Sequence, residues 1–291
     1  MIDPRAFIAG AVLVQGGTGR VGASHIRLMR AFGTRIAAVV SPTMRVTEVD
    51  TVPVFATCER AVAATGARTS VAFVAAPQLL GAMQDALAAG ITQFVTPTEG
   101  MPVHDALIAA HAVAAVNGAW IGASTPGMAI PGQAKLGFLP AASMQPGPVG
   151  VMSKSGTLSY EVGYRLARRG IGQSVWVGVG GDPVKGTRFA DILPFYAADD
   201  ATRALLVIGE IGGDEEEELA ARLRATAFPK PVYAIIAGAT APEGAKMGHA
   251  GAMIYGSVGT FVSKQSALQD AGVRVFTTLA ELEACMEAAP W

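Results

Sequence analysis

An α/β fold in two consecutive domains is predicted by three observations. The chain has 291 residues, more than one domain of ordinary size uses and suited to two. Hydrophobic residues make up 51% of it and aromatics only 7%, so the apolar content is mostly aliphatic, as in parallel strands buried between helices. Short aliphatic runs alternate with helical patterns along the whole length, the arrangement of successive βαβ units. The first domain is expected over residues 1–125 and the second over 126–291.

The elements follow in order. Val12–Gln15 reads as an apolar strand, followed by the turn Gly16-Gly17-Thr18-Gly19 and a helix from Gly22 to Phe32 that Gly33 stops. Ile36–Val40 is the second strand. Val71–Ala75 and Phe94–Thr96 are further strands with a helix from Leu79 to Ala89 between them, and Ala119–Gly122 closes the first unit. Ser124–Pro148, rich in Pro and Gly, reads as a linker with irregular loops. Beyond it come strand Val149–Met152, helix Thr157–Arg168, and strands Ser174–Gly178 and Leu205–Ile208. Helix Asp214–Ala225, strand Pro231–Ile236, a helix within Val258–Ala271 and strand Val273–Phe276 complete the series.

Charge excludes some functions. A net charge of −1 leaves no electrostatic footprint for nucleic acid, and no polybasic stretch points to an anionic membrane. Ala106–Ala134 contains no Lys, Arg, Asp or Glu, but Asn117, Gly118, Ser124, Pro126 and Pro131 interrupt it, so no membrane span is expected. Met1–Ile8 carries Asp3 and Arg5 and lacks the apolar core of a leader. Cys58 and Cys285 match no metal-ligand spacing, and a reducing cytoplasm is the expected setting.

Gly17-Thr18-Gly19-Arg20-Val21-Gly22 fits G-x-G-x-x-G between a strand and a helix, where backbone amides can approach a phosphate. A nicotinamide dinucleotide site also wants an acid at the end of the second strand to hold the ribose. That strand ends in Val39-Val40-Ser41-Pro42, without one. A pyrophosphate ligand with no such ribose contact, such as CoA, fits better; a tight strand–helix turn without a ligand is the other reading.

In the second domain three loops stand out. Ser153-Lys154-Ser155-Gly156-Thr157 leads from a strand into a helix, and its hydroxyl residues can cap that helix and bind an anion. Gly209-Glu210-Ile211-Gly212-Gly213 lies between a buried strand and the helix beginning near Asp214. Gly248-His249-Ala250-Gly251-Ala252 sets a histidine among small residues that leave a bulky reactant room to approach. An imidazole can accept a phosphoryl group covalently, and a carboxylate on its other nitrogen, for which Glu210 is a candidate, would fix its tautomer. These residues alone leave open whether His249 is an acceptor or a surface residue. The acidic run Asp214–Glu218 reads as a solvated first helical turn favoured by the helix dipole. His25, His104 and His111 read as structural, and no P-loop is present, so a nucleotide would bind on a second chain.

At these residues the chain resembles the α subunit of succinyl-CoA synthetase and the related malate–CoA ligase. The likeness runs through Gln15-Gly16-Gly17-Thr18-Gly19, Val52-Pro53-Val54-Phe55, Thr98-Glu99-Gly100 and Ser155-Gly156-Thr157-Leu158-Ser159-Tyr160-Glu161. It continues through residues 178–183 (GVGGDP), 209–214 (GEIGGD), Thr240-Ala241-Pro242 and 247–252 (MGHAGA). The resemblance implies a Rossmann-like CoA-binding domain followed by a flavodoxin-like ligase domain. It implies a partner, an ATP-grasp β subunit in an αβ or α2β2 assembly, that holds ATP or GTP with Mg and phosphorylates His249. The phosphohistidine would convert a small dicarboxylate, succinate or a relative such as malate, to an acyl phosphate that the CoA thiol attacks. By the same resemblance Thr18, Gly19, Arg20 and Val21 hold CoA, with Pro97, Thr98 and Glu99 lining the site. Ser155, Gly156 and Thr157 bind phosphate, Tyr160 lies at the acid and Glu210 supports His249.

Three departures stand out. Met44 replaces a family lysine that contacts CoA, so that either Arg45 substitutes for it or the contact is lost; Ser124-Thr125 replaces Asn-Cys before Pro126-Gly127; and Ala141-Ala142-Ser143-Met144-Gln145 replaces a histidine-containing loop. The changes at Ser124 and Thr125 are expected to make a substituted or hydroxylated acid such as malate a better substrate than succinate. A CoA-binding regulatory paralogue without catalysis and a nicotinamide-dependent dehydrogenase are the alternatives.

Overall fold

In the computed structural model, which describes residues 2–240, 254 and 259–290, two seven-stranded sheets follow one another along the chain. The first comprises β1 (Val12–Gln15), β2 (Ile36–Val40), β3 (Glu48–Val49), β4 (Val52–Phe55), β5 (Thr69–Ala72), β6 (Gln93–Thr96) and β7 (Ala119–Gly122). Its order is β3-β4-β2-β1-β5-β6-β7, parallel except for the β3–β4 pair. Without the short β3, this is the 3-2-1-4-5-6 order of a Rossmann sheet. Its helices are α1 (Arg20–Ala31), α2 (Cys58–Thr65), α3 (Ala76–Ala88) and α4 (Val103–Ala115).

The second sheet comprises β8 (Gly127–Ile130), β9 (Ala134–Gly137), β10 (Pro146–Ser153), β11 (Gln173–Gly178), β12 (Ala204–Glu210), β13 (Val232–Ala237) and β14 (Arg274–Phe276). Its order is β14-β13-β12-β10-β11-β8-β9. The parallel part, β11-β10-β12-β13-β14, has the 2-1-3-4-5 order of a flavodoxin-like sheet, and β8 and β9 add an antiparallel hairpin at one edge. Around it lie α5 (Thr157–Arg168), α6 (Phe189–Ala198), α7 (Glu215–Thr226), α8 (Phe261–Asp270) and α9 (Leu279–Glu287). Every residue of β1, β11 and β12 is buried, as expected where helices cover both faces of a parallel sheet. Among the described residues, no helix is long and apolar enough to cross a membrane.

Two expectations are corrected. Helix α1 begins at Arg20 rather than Gly22, which puts Arg20 and Val21 in its first turn. Ser124–Pro148 is not a linker with irregular loops: it contains β8, β9 and the start of β10. Its glycines serve strand pairing. Gly127 has φ +103°, and a Cβ there would sit 1.9 Å from the Leu136 carbonyl oxygen across the hairpin. Only a residue without a side chain permits that approach.

The hairpin is also stitched to the first half of the chain. Thr34 Oγ1 donates to the Lys135 carbonyl (2.6 Å) and accepts from the Lys135 amide (3.1 Å), while the Gly137 amide points at Met29 Sδ (3.3 Å). The crossover between the sheets is equally fixed. Thr125, 2% exposed, donates from Oγ1 to the Gly178 carbonyl (2.5 Å) and accepts from the Gly127 amide (2.8 Å). Replacing it by the isosteric valine strands both groups in a buried place. Thr125→Val is therefore expected to lower the free energy of unfolding by about 1–3 kcal/mol in urea denaturation, without a change of secondary structure by circular dichroism.

Candidate active site

In an open α/β sheet, ligands bind beyond the carboxyl ends of the strands where the order reverses direction. The first sheet has that point between β1 and β5, the second between β10 and β12. Among the described residues, the glycine loops singled out in the sequence leave from β1, β10 and β12.

At the first point the turn after β1 is built to lie close to its neighbours. A Cβ on Gly17 would be 2.7 Å from Ile26 Cδ1 and 2.8 Å from Val39 Cγ1, and one on Gly22 would be 2.5 Å from the Gly16 carbonyl oxygen. Gly19 is the N-cap of α1; a Cβ there would meet only the Gly16 carbonyl oxygen, at 3.6 Å, and no side chain caps the helix. The first-turn amides of α1 are thus left without a side-chain acceptor, the condition under which a helix N-terminus takes an anion. Thr18 Oγ1 bonds Ser41 Oγ (3.2 Å), which lies 3.3 Å from Thr43 Oγ1. So the end of β2, where a dinucleotide site needs a carboxylate, holds a hydroxyl chain instead. A cleft of about 930 Å³ opens beside it, with Gly16, Ser41, Thr43, Cys58 and Asp85 in its lining. Arg45 is exposed on the loop after β2 and is not among the residues lining this cleft.

Pro97 and Thr98 follow β6, Pro97 buried and Thr98 bonded through Oγ1 to the Val74 carbonyl (2.6 Å), while Glu99 is exposed. The loop beyond is held from the other half of the chain. Buried Asp182 accepts the amides of Gly100 (3.1 Å) and Met101 (3.1 Å), and the Ser124 amide donates to the Thr98 carbonyl (2.8 Å).

At the second point the Ser153–Thr157 and Glu210–Gly213 loops meet. Ser155 Oγ accepts from the Leu158 amide (3.3 Å) in the first turn of α5, whose N-cap residue is Gly156 and carries no side-chain cap. Tyr160, one turn on, is half-buried with its hydroxyl 3.7 Å from the Cβ position of Gly156. Burial pushes its phenol up to about 12, so at neutral pH it is a protonated donor. Glu210 is buried at the end of β12. His249 and the Gly248–Ala252 loop lie outside the described residues.

The acidic run is the main correction. Asp214 and Glu218 are exposed and paired with Arg188, each at 2.5 Å, but Glu215 and Glu216 are buried, Glu216 completely. Their counter-charges are Lys154, Lys185 and Lys264, whose side chains are buried. Lys154 lies 3.6 Å from Glu216 and 3.9 Å from Glu215; Lys185 pairs with Glu215 at 2.5 Å; Lys264 pairs with Glu216 and, at 3.1 Å, with Glu217. Burial disfavours the charge on Glu216, but Lys154 and Lys264 outweigh it and hold the carboxyl below its ordinary range. Burial likewise opposes the Lys154 ammonium, and Glu216, Glu215 and Glu210 together hold its pKa above the usual value. For Lys185 burial prevails, and its pKa is lowered in spite of Glu215. No sequence signal pairs these lysines with the acidic run, because they lie on three separate loops and helices and meet only in the fold.

The family described as CoA binding domain matches residues 8–100, and the family described as CoA-ligase matches residues 152–274. The two crevices thus belong to an acid–thiol ligase with a CoA-binding domain in front of a ligase domain. The chain is 44% identical over 273 residues to the α subunit of the ADP-forming succinate–CoA ligase of Aquifex aeolicus, with 93% of this chain and 89% of that one aligned. It is 39% identical over 280 residues to a subunit of the ADP-forming sulfoacetate-CoA ligase of Bilophila wadsworthia, covering 95% and 96%. The chain belongs to the family of succinate–CoA ligase α subunits. Its fold is also that of ATP citrate lyase from Methanosaeta concilii, solved with (3S)-citryl-CoA. The TM-score is 0.87 at 24% identity, and the match covers 96% of this chain and 49% of that one.

Asp182 gives the join between the two crevices a direct test. Asp182→Ala removes the acceptor for two amides of a loop next to Pro97–Glu99. It is expected to cost about 2–3 kcal/mol of stability in chemical denaturation. It should also raise hydrogen exchange in peptides spanning residues 98–101 more than elsewhere.

Proposed function

We propose that this chain is the α subunit of a nucleotide-dependent acid–CoA ligase that works with an ATP-grasp β subunit through a phosphohistidine at His249. The observation that carries the reading is the meeting of two glycine loops at the switch point of the second sheet, with buried Glu210 on one and Ser155-Gly156 on the other. A second anion-adapted turn lies at the switch point of the first sheet.

In this scheme the imidazole of His249 attacks the terminal phosphoryl of ATP or GTP, held with Mg on the partner, and the nucleoside diphosphate leaves. Glu210 holds the imidazole proton on the other nitrogen and balances the positive charge that forms. Ser155, Gly156 and Thr157, at the start of α5, receive the phosphoryl oxygens. A carboxylate oxygen of the acid then takes the phosphoryl group, giving an acyl phosphate and free imidazole, with the Tyr160 hydroxyl donating to the acid. The CoA thiolate adds to the acyl carbon and inorganic phosphate leaves. Thr18, Gly19, Arg20 and Val21 hold the CoA phosphates at the start of α1, with Pro97, Thr98 and Glu99 beside it and Arg45 as the nearest cation to the position of the family lysine.

With the partner present, ATP or GTP is expected to add one acid-labile, alkali-stable phosphate, read as intact mass. His249→Ala should abolish both the phosphate and turnover, and a variant that still turns over would remove His249 from the chemistry. Glu210→Gln keeps the shape without the charge and should slow phosphoryl transfer on the order of 10²-fold.

The acid proposed is a small dianion, succinate or a relative such as malate. Thr125 does not support a preference between these two, because its hydroxyl is already bonded to Gly178 and Gly127. In kcat/KM, dianionic acids are expected to exceed simple monocarboxylates by about 10²-fold or more, the discrimination of a site that leaves paired polar groups empty with the wrong acid. A monocarboxylate that matches succinate and malate would overturn this assignment.

A further inference from the structure

Lys154 touches no reactant in this scheme, yet its ammonium lies between both loops that do. It sits one residue before Ser155-Gly156-Thr157, is 4% exposed, and its backbone amide donates to the Ile208 carbonyl (3.0 Å) on the neighbouring strand. Its Nζ donates to the Gly212 carbonyl (3.2 Å) on the loop after Glu210 and faces Glu216 at 3.6 Å. The Oε1 of Glu216 that Lys154 faces also accepts the backbone N–H of Glu210 (3.1 Å). Two noncovalent links therefore run from the first loop to the amide of Glu210.

We propose that Lys154 is a positioning residue that sets the spacing of the Ser155–Thr157 loop and the Glu210 loop, so that both address the same phosphoryl group. The inference rests on the phosphohistidine reading above. Lys264 grips the cluster from the far side, donating to the Gly213 carbonyl (3.0 Å) and pairing with Glu216 and Glu217. Lysine 154 is the one of the three lysines that belongs to the loop before α5, so loss of its ammonium frees that loop from the other while Glu216 keeps a counter-ion. Gly212 and Gly213 are both at positive φ, +86° and +61°, and the Gly212 amide is fixed to the Gly259 carbonyl (2.8 Å). The Glu210 loop thus has a defined shape, and what Lys154 adds is its distance from its neighbour.

The test uses the complex with its partner subunit, comparing wild type, Lys154→Met and Lys154→Arg. Three quantities are read: the single-turnover rate of phosphorylation by ATP, the CoA dissociation constant, and hydrogen exchange in peptides covering residues 154–158 and 209–213. Lys154→Met is expected to phosphorylate about 10–100-fold more slowly, the usual loss when a group that orients a site is removed. CoA affinity should stay within about twofold, and exchange should rise in both peptides. Lys154→Arg, which keeps the charge, should recover the rate to within about fivefold of wild type. A folded Lys154→Met that phosphorylates at the wild-type rate overturns the proposal, as does a slower rate with exchange unchanged. If Lys154→Met does not fold, Glu216→Gln decides: it keeps an acceptor for the Glu210 amide but weakens the link to Lys154, and a wild-type rate in it counts against the proposal. A wild-type complex that is never phosphorylated refutes the reaction instead, and the exchange comparison still judges the role of Lys154.

Discussion

Glu216 is a carboxylate with no path to water, and much of the second half of the chain is arranged around that fact. An isolated charge in such a place is prohibitively unstable, so it must be matched by cations and hydrogen-bond donors. The match comes from Lys154 before α5, Lys264 on α8 and the amide of Glu210 at the end of β12. Each partner belongs to a different segment, so satisfying one carboxylate fixes the relative position of three. Gly209 shows how tight the arrangement is: a Cβ there would lie 2.6 Å from Glu216 Oε1.

The two sheets solve one problem twice. Each reverses its strand order at a central pair, and each places glycine loops beyond the ends of those strands. The loop between β11 and α6 then reaches in both directions. Asp182 holds Gly100 and Met101 on the CoA-binding side, and three residues on, Lys185 pairs with Glu215 under the second crevice. A short stretch of chain thereby sets the placement of one crevice against the other, as the proposed transfer between them needs.

The elements that read clearly were those whose residues are buried on both faces. Val12–Gln15 and Ile36–Val40 coincide with β1 and β2 because an uninterrupted aliphatic run has few other places to go. Helix α4 is not legible in the sequence because it is apolar nearly all round and shows no clear stripe, and α6 is not because Pro194 stands inside it. The β8–β9 hairpin was masked by the same glycines that make it possible. In the site, the glycine loops are legible as local patterns, and the role proposed for His249 comes from the likeness to a known family alone. The buried charges were not: four glutamates in a row do not reveal which two face inward, and lysines at 154, 185 and 264 acquire meaning only when distant segments converge.

The hairpin stitched to α1 has a consequence for how this chain can be divided. The change from one sheet to the other falls between Gly122 and Gly127, which suggests a boundary for exchanging halves between relatives. Yet Met29, Gly33 and Thr34 complete their packing and hydrogen bonds on Gln133, Lys135 and Gly137. A chimaera cut at the crossover would join a foreign hairpin to a helix shaped for another. A cut after Gly137 is no better, because β8 is paired with β11 of the second sheet: the hairpin belongs to both halves, and no single seam divides both the architecture and the interactions.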